Sequence, residues 1–148
     1  MKTLELKHIV PYLLYKIDIL IKRLKYPVSE YIEKLSLSNI GVIENKLYNV
    51  KLVLRPLSDL TKEIEIDGEK FVPIDKILDT HSFISDIHIS KFRKFKIIQE
   101  QIHILKDIKE LGYKYCDYWF LQYLFEWHFD ISGLIEQGLA VDINTINK

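Results

Sequence analysis

Glu126-Trp-His128-Phe-Asp130 is the string in this chain whose residue types come closest to chemistry. Along a strand the two carboxylates and the imidazole would share one face, as an acid–base or metal-binding trio does. Along a helix the same spacing turns His128 about 200° away from Glu126, and the trio dissolves. The surrounding pattern is helical. The expected roles are therefore structural: a buried histidine bonded to backbone, Glu126 in solvent and Asp130 as a cap.

Asp79-x-His81 and Asp86-x-His88 repeat a metal-friendly pair. Two helical turns would hold the pairs about 10.5 Å apart, too far for one ion unless a loop through Ser82–Ser85 folds them together. The plainer reading is a polar connector between helices. Cys116 sits among aromatics with no basic neighbour closer than Lys114, which suits a buried, inert thiol. No phosphate loop, dinucleotide fingerprint, paired-cysteine motif or zinc-protease motif occurs. The sequence thus assigns no catalytic residue, cofactor or metal ligand, and the chain reads as a non-enzyme.

Two basic clusters are the remaining candidates. Lys91-Phe92-Arg93-Lys94-Phe95-Lys96 interleaves cations with rings, which can neutralise phosphates and offer stacking surfaces. On a helix, however, Phe92 and Phe95 are expected to turn towards the core and leave a plain basic rim. Lys22, Arg23 and Lys25 form the second cluster, at a strand end. If the clusters met on one face, a nucleic-acid-binding module would follow. Otherwise they are solvated charge groups or contacts to a protein partner.

The net charge of zero conceals segregation. Residues 1–55 carry +5, 56–90 carry −5, 91–114 carry +4 and 115–148 carry −4. Either adjacent blocks neutralise one another in the fold, or a basic face lies beside an acidic one. Apolar content of 48% and charged content of 28% over 148 residues fit one globular domain rather than a disordered chain. A single cysteine forms no internal disulfide, which points to a reducing, cytoplasmic setting. Lys2, Glu5, Lys7 and His8 precede any apolar stretch, unlike a signal peptide, and no apolar run nears the ~20 residues of a membrane span. Scarce alanine and arginine beside abundant isoleucine and lysine read as AT-rich coding, common in AT-rich bacteria and their phages.

The elements that must position these residues are legible from periodicity. Leu14 to Arg23 alternates as a half-buried strand, with Tyr15, Ile17, Ile19 and Ile21 on one side. Tyr31 to Leu37 is a weaker strand, punctuated by Asn39 and Gly41 before Val42–Ile43. Tyr48, Val50, Leu52 and Leu54 alternate until Pro56. Ser58 or Asp59 can cap a helical turn that turns Leu57, Leu60 and Ile64 inward. Ile64–Ile66 and Glu69–Phe71 flank Asp67-Gly68, a two-residue hairpin signal that sets Glu65 opposite Lys70 and Ile64 opposite Phe71.

From Pro73 the period becomes helical, with Ile74, Ile77 and Leu78 as the inner stripe. Residues 91–111 form the longest predicted helix, with Phe95, Ile98, Ile102 and Leu105 on one line and Gly112 as its stop. A further helix is predicted from Asp117 to about His128. Asp130 or Ser132 then caps a short helix ending at Gly138. Leu139, Val141 and Ile143 alternate once more, as a strand returning to the sheet would. The expected fold is one α+β domain: an N-terminal antiparallel sheet or small barrel, residues 1–72, packed on a mainly helical half, residues 73–148.

Half of the aromatic residues lie between Tyr113 and Phe129. In helical phase only Gln122 and Glu126 of this stretch face water, so most of it must be core. Any adhesive part is confined to Tyr113 and Tyr115 before the helix and Phe129 after it.

LRPLSDLTKEIEIDGEKFVPID and LFEWHFDISGLIEQGLAVDINTI, with the opening LELKHIVPYLLYKIDI, resemble a family of small proteins of phages and prophages of gut Bacteroidota. The likeness spans the ends and the middle of the chain, about half its length, and brings no catalytic residues with it. It implies a phage or prophage accessory protein acting in the host cytoplasm. The expected activity is binding to another protein, such as a host or defence factor, with nucleic-acid binding as the alternative.

Overall fold

The computed structural model describes residues 2–81, 90–107 and 112–146. A short helix α1 (Leu6–Ile9) runs into a 3-10 segment, Val10–Tyr15, with Pro11 in its first turn. Lys16 then adopts a left-handed conformation, φ 49°, and redirects the chain into β1 (Asp18–Arg23). The predicted strand is therefore shorter than its alternation suggested, because Leu14 and Tyr15 belong to the 3-10 turn. Ile17, Ile19 and Ile21 point into the core as expected.

β2 (Ser29–Lys34) pairs antiparallel with β1, Leu20 facing Ile32 and Asp18 facing Lys34. All its residues are exposed; Leu35 is buried just beyond it, and Leu37, exposed, opens a 3-10 turn that buries Asn39 rather than extending the strand. Asn39 and Gly41 lead into and lie within a short helix, α2 (Ile40–Glu44). β3 (Tyr48–Leu54) pairs with the other side of β1 and ends before Pro56, which has no amide proton to continue a ladder. Val50, Leu52 and Leu54 face the core, while Val53, on the opposite face, is buried beside Val141.

Leu57–Thr61 forms the expected turn, of 3-10 type, with Leu60 and Ile64 inside. No side chain caps it, so neither Ser58 nor Asp59 has the predicted role there. β4 (Ile64–Ile66) and β5 (Glu69–Phe71) form the hairpin in the predicted register. Both central residues of its turn have positive φ, Asp67 at 51° and Gly68 at 82°, as a two-residue hairpin matched to strand twist requires.

α3 (Pro73–Thr80) buries Ile74, Ile77 and Leu78. α4 (Lys91–Asp107) buries Ile98 and Leu105, with Phe95 and Ile102 packed at the margin. The predicted end of this helix at 111 lies outside the described residues, and Gly112 opens a 3-10 turn, Gly112–Tyr115. α5 (Tyr118–Glu126) buries Phe120, Leu121 and Leu124 and exposes Gln122 and Glu126. Tyr118 in its first turn is exposed as well, contrary to the expectation that only those two face water. The helix stops short of His128, which has φ 62°. Residues 131–138 form turns, not the predicted helix, closing at Gly138 with φ 74°.

β6 (Ala140–Asp142) then returns to the sheet, and α6 (Ile143–Ile146) follows it. β6 lies parallel to β3, giving the order β2-β1-β3-β6. The sheet is thus mixed: its antiparallel N-terminal strands gain one parallel strand from the far end of the sequence. Helices dominate after Pro73, an α+β arrangement. One hydrophobic cluster joins both parts, from Ile9 and Tyr12 through Leu52 and Leu54 to Phe120, Trp127 and Phe129. No helix among the described residues is long and apolar enough to cross a membrane.

Candidate interaction surface

The residues with catalytic character are built into the fold. His128 is half-buried, and its Nε2 lies 2.9 Å from the Tyr15 carbonyl oxygen, which can only accept. The neutral ring therefore carries its proton on Nε2. Burial holds this imidazole below its ordinary pKa, opposed by the bond to Tyr15. Glu126 is in solvent, and Asp130 is buried with its carboxylate accepting from the N–H groups of Leu134 and Ile135, each at 2.9 Å. Burial pushes the Asp130 carboxyl upward, and these N–H groups pull against that rise. His128 is thus bonded to backbone and Glu126 exposed as expected, but the chain leaves the helix before His128, and Asp130 holds a turn where a helix cap was expected.

Cys116 donates its thiol to the Gln101 carbonyl at 3.5 Å, and burial pushes its pKa up to about 11. A thiol held protonated in this way is a poor nucleophile. His81 stacks on Trp119 with centroids 4.0 Å apart. Asp86 and His88 lie outside the described residues; among those described, no three His, Cys, Asp or Glu side chains gather as a metal site.

His128 gives a pH dependence with a definite sign. The unfolded chain takes up a proton near the ordinary imidazole value of 6.5, and the fold binds that proton only at lower pH. Stability is therefore full above 6.5 and is lost as pH falls towards the depressed folded value. His81, lowered by burial too, adds the same sign. His128→Asn, whose side chain tolerates the left-handed backbone, is expected to flatten this acid limb in urea titrations between pH 7 and 5. An unchanged limb would remove His128 from the account.

A groove of about 680 Å³ opens between the Leu57–Thr61 turn and the end of β6. Its wall contains Arg55 and Asp59, both buried. Asp59 is occupied on both oxygens, by Lys62 at 3.3 Å and by Asn144 at 2.7 Å. Burial lowers the Arg55 pKa while Asp59 and Asp142 oppose that shift. This polar cluster ties α6 to the turn after β3.

The two predicted basic clusters sit on different packing units. Lys22 and Arg23 end β1, with Lys25 in the connection to β2. Lys22 and Lys25 are exposed and Arg23 is partly so. Lys91 is the first residue of α4, and Arg93, Lys94 and Lys96 follow on its first turns, with Arg93 and Lys96 exposed. α4 packs on α3 and the Gly112–Tyr115 turn, whereas β1 packs on β2 and β3. Contrary to expectation, Phe92 does not turn inward. It is 71% exposed, with the Lys96 ammonium 5.9 Å from its ring centre.

Periodicity did not reveal the apolar character of the β1–β2 tip. Leu24, Tyr26 and Val28 are 51%, 92% and 64% exposed, beside Lys22, Arg23 and Lys25. The available signal was the clustering of apolar residues around Pro27, where two alternating strands must reverse. In the aromatic window, Tyr115 and Tyr118 are exposed, whereas Tyr113 packs on the core and Phe129 is fully buried. Phe129 is therefore no adhesive end, because its backbone bridges to Arg55 beside β3.

The fold is α+β, with a mixed four-stranded sheet under helices and an apolar, basic hairpin tip as its most distinctive surface. Comparisons with protein-family models, curated proteins and solved structures each give no match.

Proposed function

We propose that this is a non-enzymatic phage or prophage accessory protein that acts by binding another protein through the β1–β2 tip. The observation that carries the reading is the exposure of Leu24, Tyr26 and Val28 together at one end of the sheet. Contiguous apolar side chains on a small soluble fold mark interaction sites, and tyrosine is enriched where binding energy concentrates. The flanking Lys22, Arg23 and Lys25 suit a partner whose apolar cleft is rimmed by carboxylates. The family resemblance supports a phage setting, with a host or defence factor as the target.

The test is a pull-down from bacterial lysate with the wild-type chain and with Y26S/V28S. The expected result is a partner retained by the wild type and reduced at least tenfold with the variant, at unchanged circular dichroism. A partner held equally by both would reject the tip as the contact. A second reading, nucleic-acid binding through the start of α4, is favoured by Phe92 exposed beside Lys96. It requires salt-sensitive binding of mixed DNA or RNA that weakens in Phe92→Ala.

A further inference from the structure

We propose that β2 pairs antiparallel with β2 of a second copy of this chain, joining the two sheets across a two-fold axis at Ile32. This surface is the strand edge, separate from the hairpin tip, and the inference does not depend on that reading.

β2 is the outermost strand of its sheet, paired on one side only. Its side bonded to β1 is set by the Leu35 N–H, which donates to Ile17 at 2.8 Å. By alternation Ser29, Tyr31 and Glu33 also face β1, so Glu30, Ile32 and Lys34 direct their backbone groups outward, the Lys34 carbonyl already accepting from the Asn39 side-chain amide at 2.7 Å. A free edge of this kind recruits another strand unless something prevents it.

The side chains select both the occupant and the register. With the two-fold at Ile32, Glu30 of each copy faces Lys34 of the other, and Ile32 faces Ile32. Tyr31 faces Glu33 on the opposite side of the sheet. The Lys34 ammonium, held by Asp18 at 2.7 Å, keeps donors for a second carboxylate. Every nearby register is worse. An axis at Glu30, Glu33 or Lys34 sets like charges face to face, and one at Tyr31 sets Glu30 against Ile32. Only the axis at Ile32 matches opposite charges on both flanks.

The apolar contact extends further. Leu20 lies beside Ile32 on the same outer face, so pairing makes a continuous Leu20–Ile32–Ile32–Leu20 stripe across the axis. With each Lys34 carbonyl engaged by Asn39, the facing outward pairs would contribute about four interchain backbone hydrogen bonds. So short a pairing falls at the low end of interface sizes, below about 1,200 Å². Association is therefore expected at micromolar concentrations and above.

The experiment combines sedimentation equilibrium with a register-specific crosslink. Wild type is expected to move from monomer mass towards twice that mass as concentration rises to about a millimolar. Glu30→Lys sets lysine against Lys34, and Lys34→Glu sets glutamate against Glu30, so each variant alone should stay monomeric. An equimolar mixture of the two should recover the dimer, because each chain then meets its opposite charge. In a Cys116→Ser background, Ile32→Cys should oxidise to a covalent dimer, since facing Cα atoms at about 5.5 Å suit a disulfide. Glu30→Cys in the same background should not. The proposal is overturned if wild type stays monomeric throughout, if the charge variants dimerise alone, or if Ile32→Cys fails to crosslink while folded.

Discussion

Tyr12→Ala is expected to lower the unfolding free energy by about 3–5 kcal/mol, the range for removing a large buried aromatic side chain. Tyr12 is almost fully buried, and its ring packs edge-on against Phe125 at 5.2 Å. Its hydroxyl donates to the Phe129 carbonyl at 2.8 Å and accepts from the Ile131 N–H at 3.3 Å. Burial drives the phenol far above its ordinary pKa, so the group stays a neutral donor. One side chain near the start of the chain thus satisfies backbone on either side of Asp130. Tyr12→Phe separates the two contributions: the ring stays, a buried carbonyl and amide lose a partner, and about 1–3 kcal/mol is lost. Urea midpoints at unchanged denaturant slope measure both variants. A Tyr12→Phe variant as stable as wild type would show that water replaces the hydroxyl.

The elements most legible in the sequence are those whose signals are local. Asp67-Gly68 fixes its hairpin because only positive φ at both positions fits the turn, and Ile64 and Phe71 fall opposite without further information. Pro73 and the Ile74–Leu78 stripe define α3 in the same way. Strand alternation overran at Leu14–Tyr15 because its period says nothing of a left-handed residue at Lys16. The parallel placement of β6 is a long-range pairing, Leu52 with Ala140, for which three alternating residues carry no direction. At the candidate site, the basic residues were visible as charges. The exposure of Leu24, Tyr26, Val28 and Phe92 was not, since apolar periodicity assigns every such residue to a core. Which apolar residues the fold leaves uncovered depends on how many neighbours each element has, and a strand edge has fewest.

Asp130→Ala is expected to cost about 2–4 kcal/mol, more than an exposed helix cap, because, of the amides it leaves behind, the Leu134 N–H is buried and the Ile135 N–H partly so. The carboxylate accepts from Leu134 and Ile135 with different oxygens and lies 3.4 Å from the Ser132 N–H. These bonds wind residues 131–138 into the turn that buries Leu134 and Leu139. The Leu134 carbonyl in turn accepts from Leu139 and Ala140, the residues that lead into β6. Asp130 therefore positions β6 through the 131–138 turn, while its own N–H donates to the Arg55 carbonyl just beyond β3 at 2.8 Å. Asp130→Asn keeps an acceptor oxygen and should lose less than the alanine variant. Hydrogen exchange distinguishes this local role from general destabilisation. In Asp130→Ala the amides of Ala140–Asp142 should exchange faster by more than the global loss accounts for, while those between β1 and β2 should follow the global loss alone. Equal acceleration in both places would mean that the β6 connection is held by its own packing and that Asp130 only adds to overall stability.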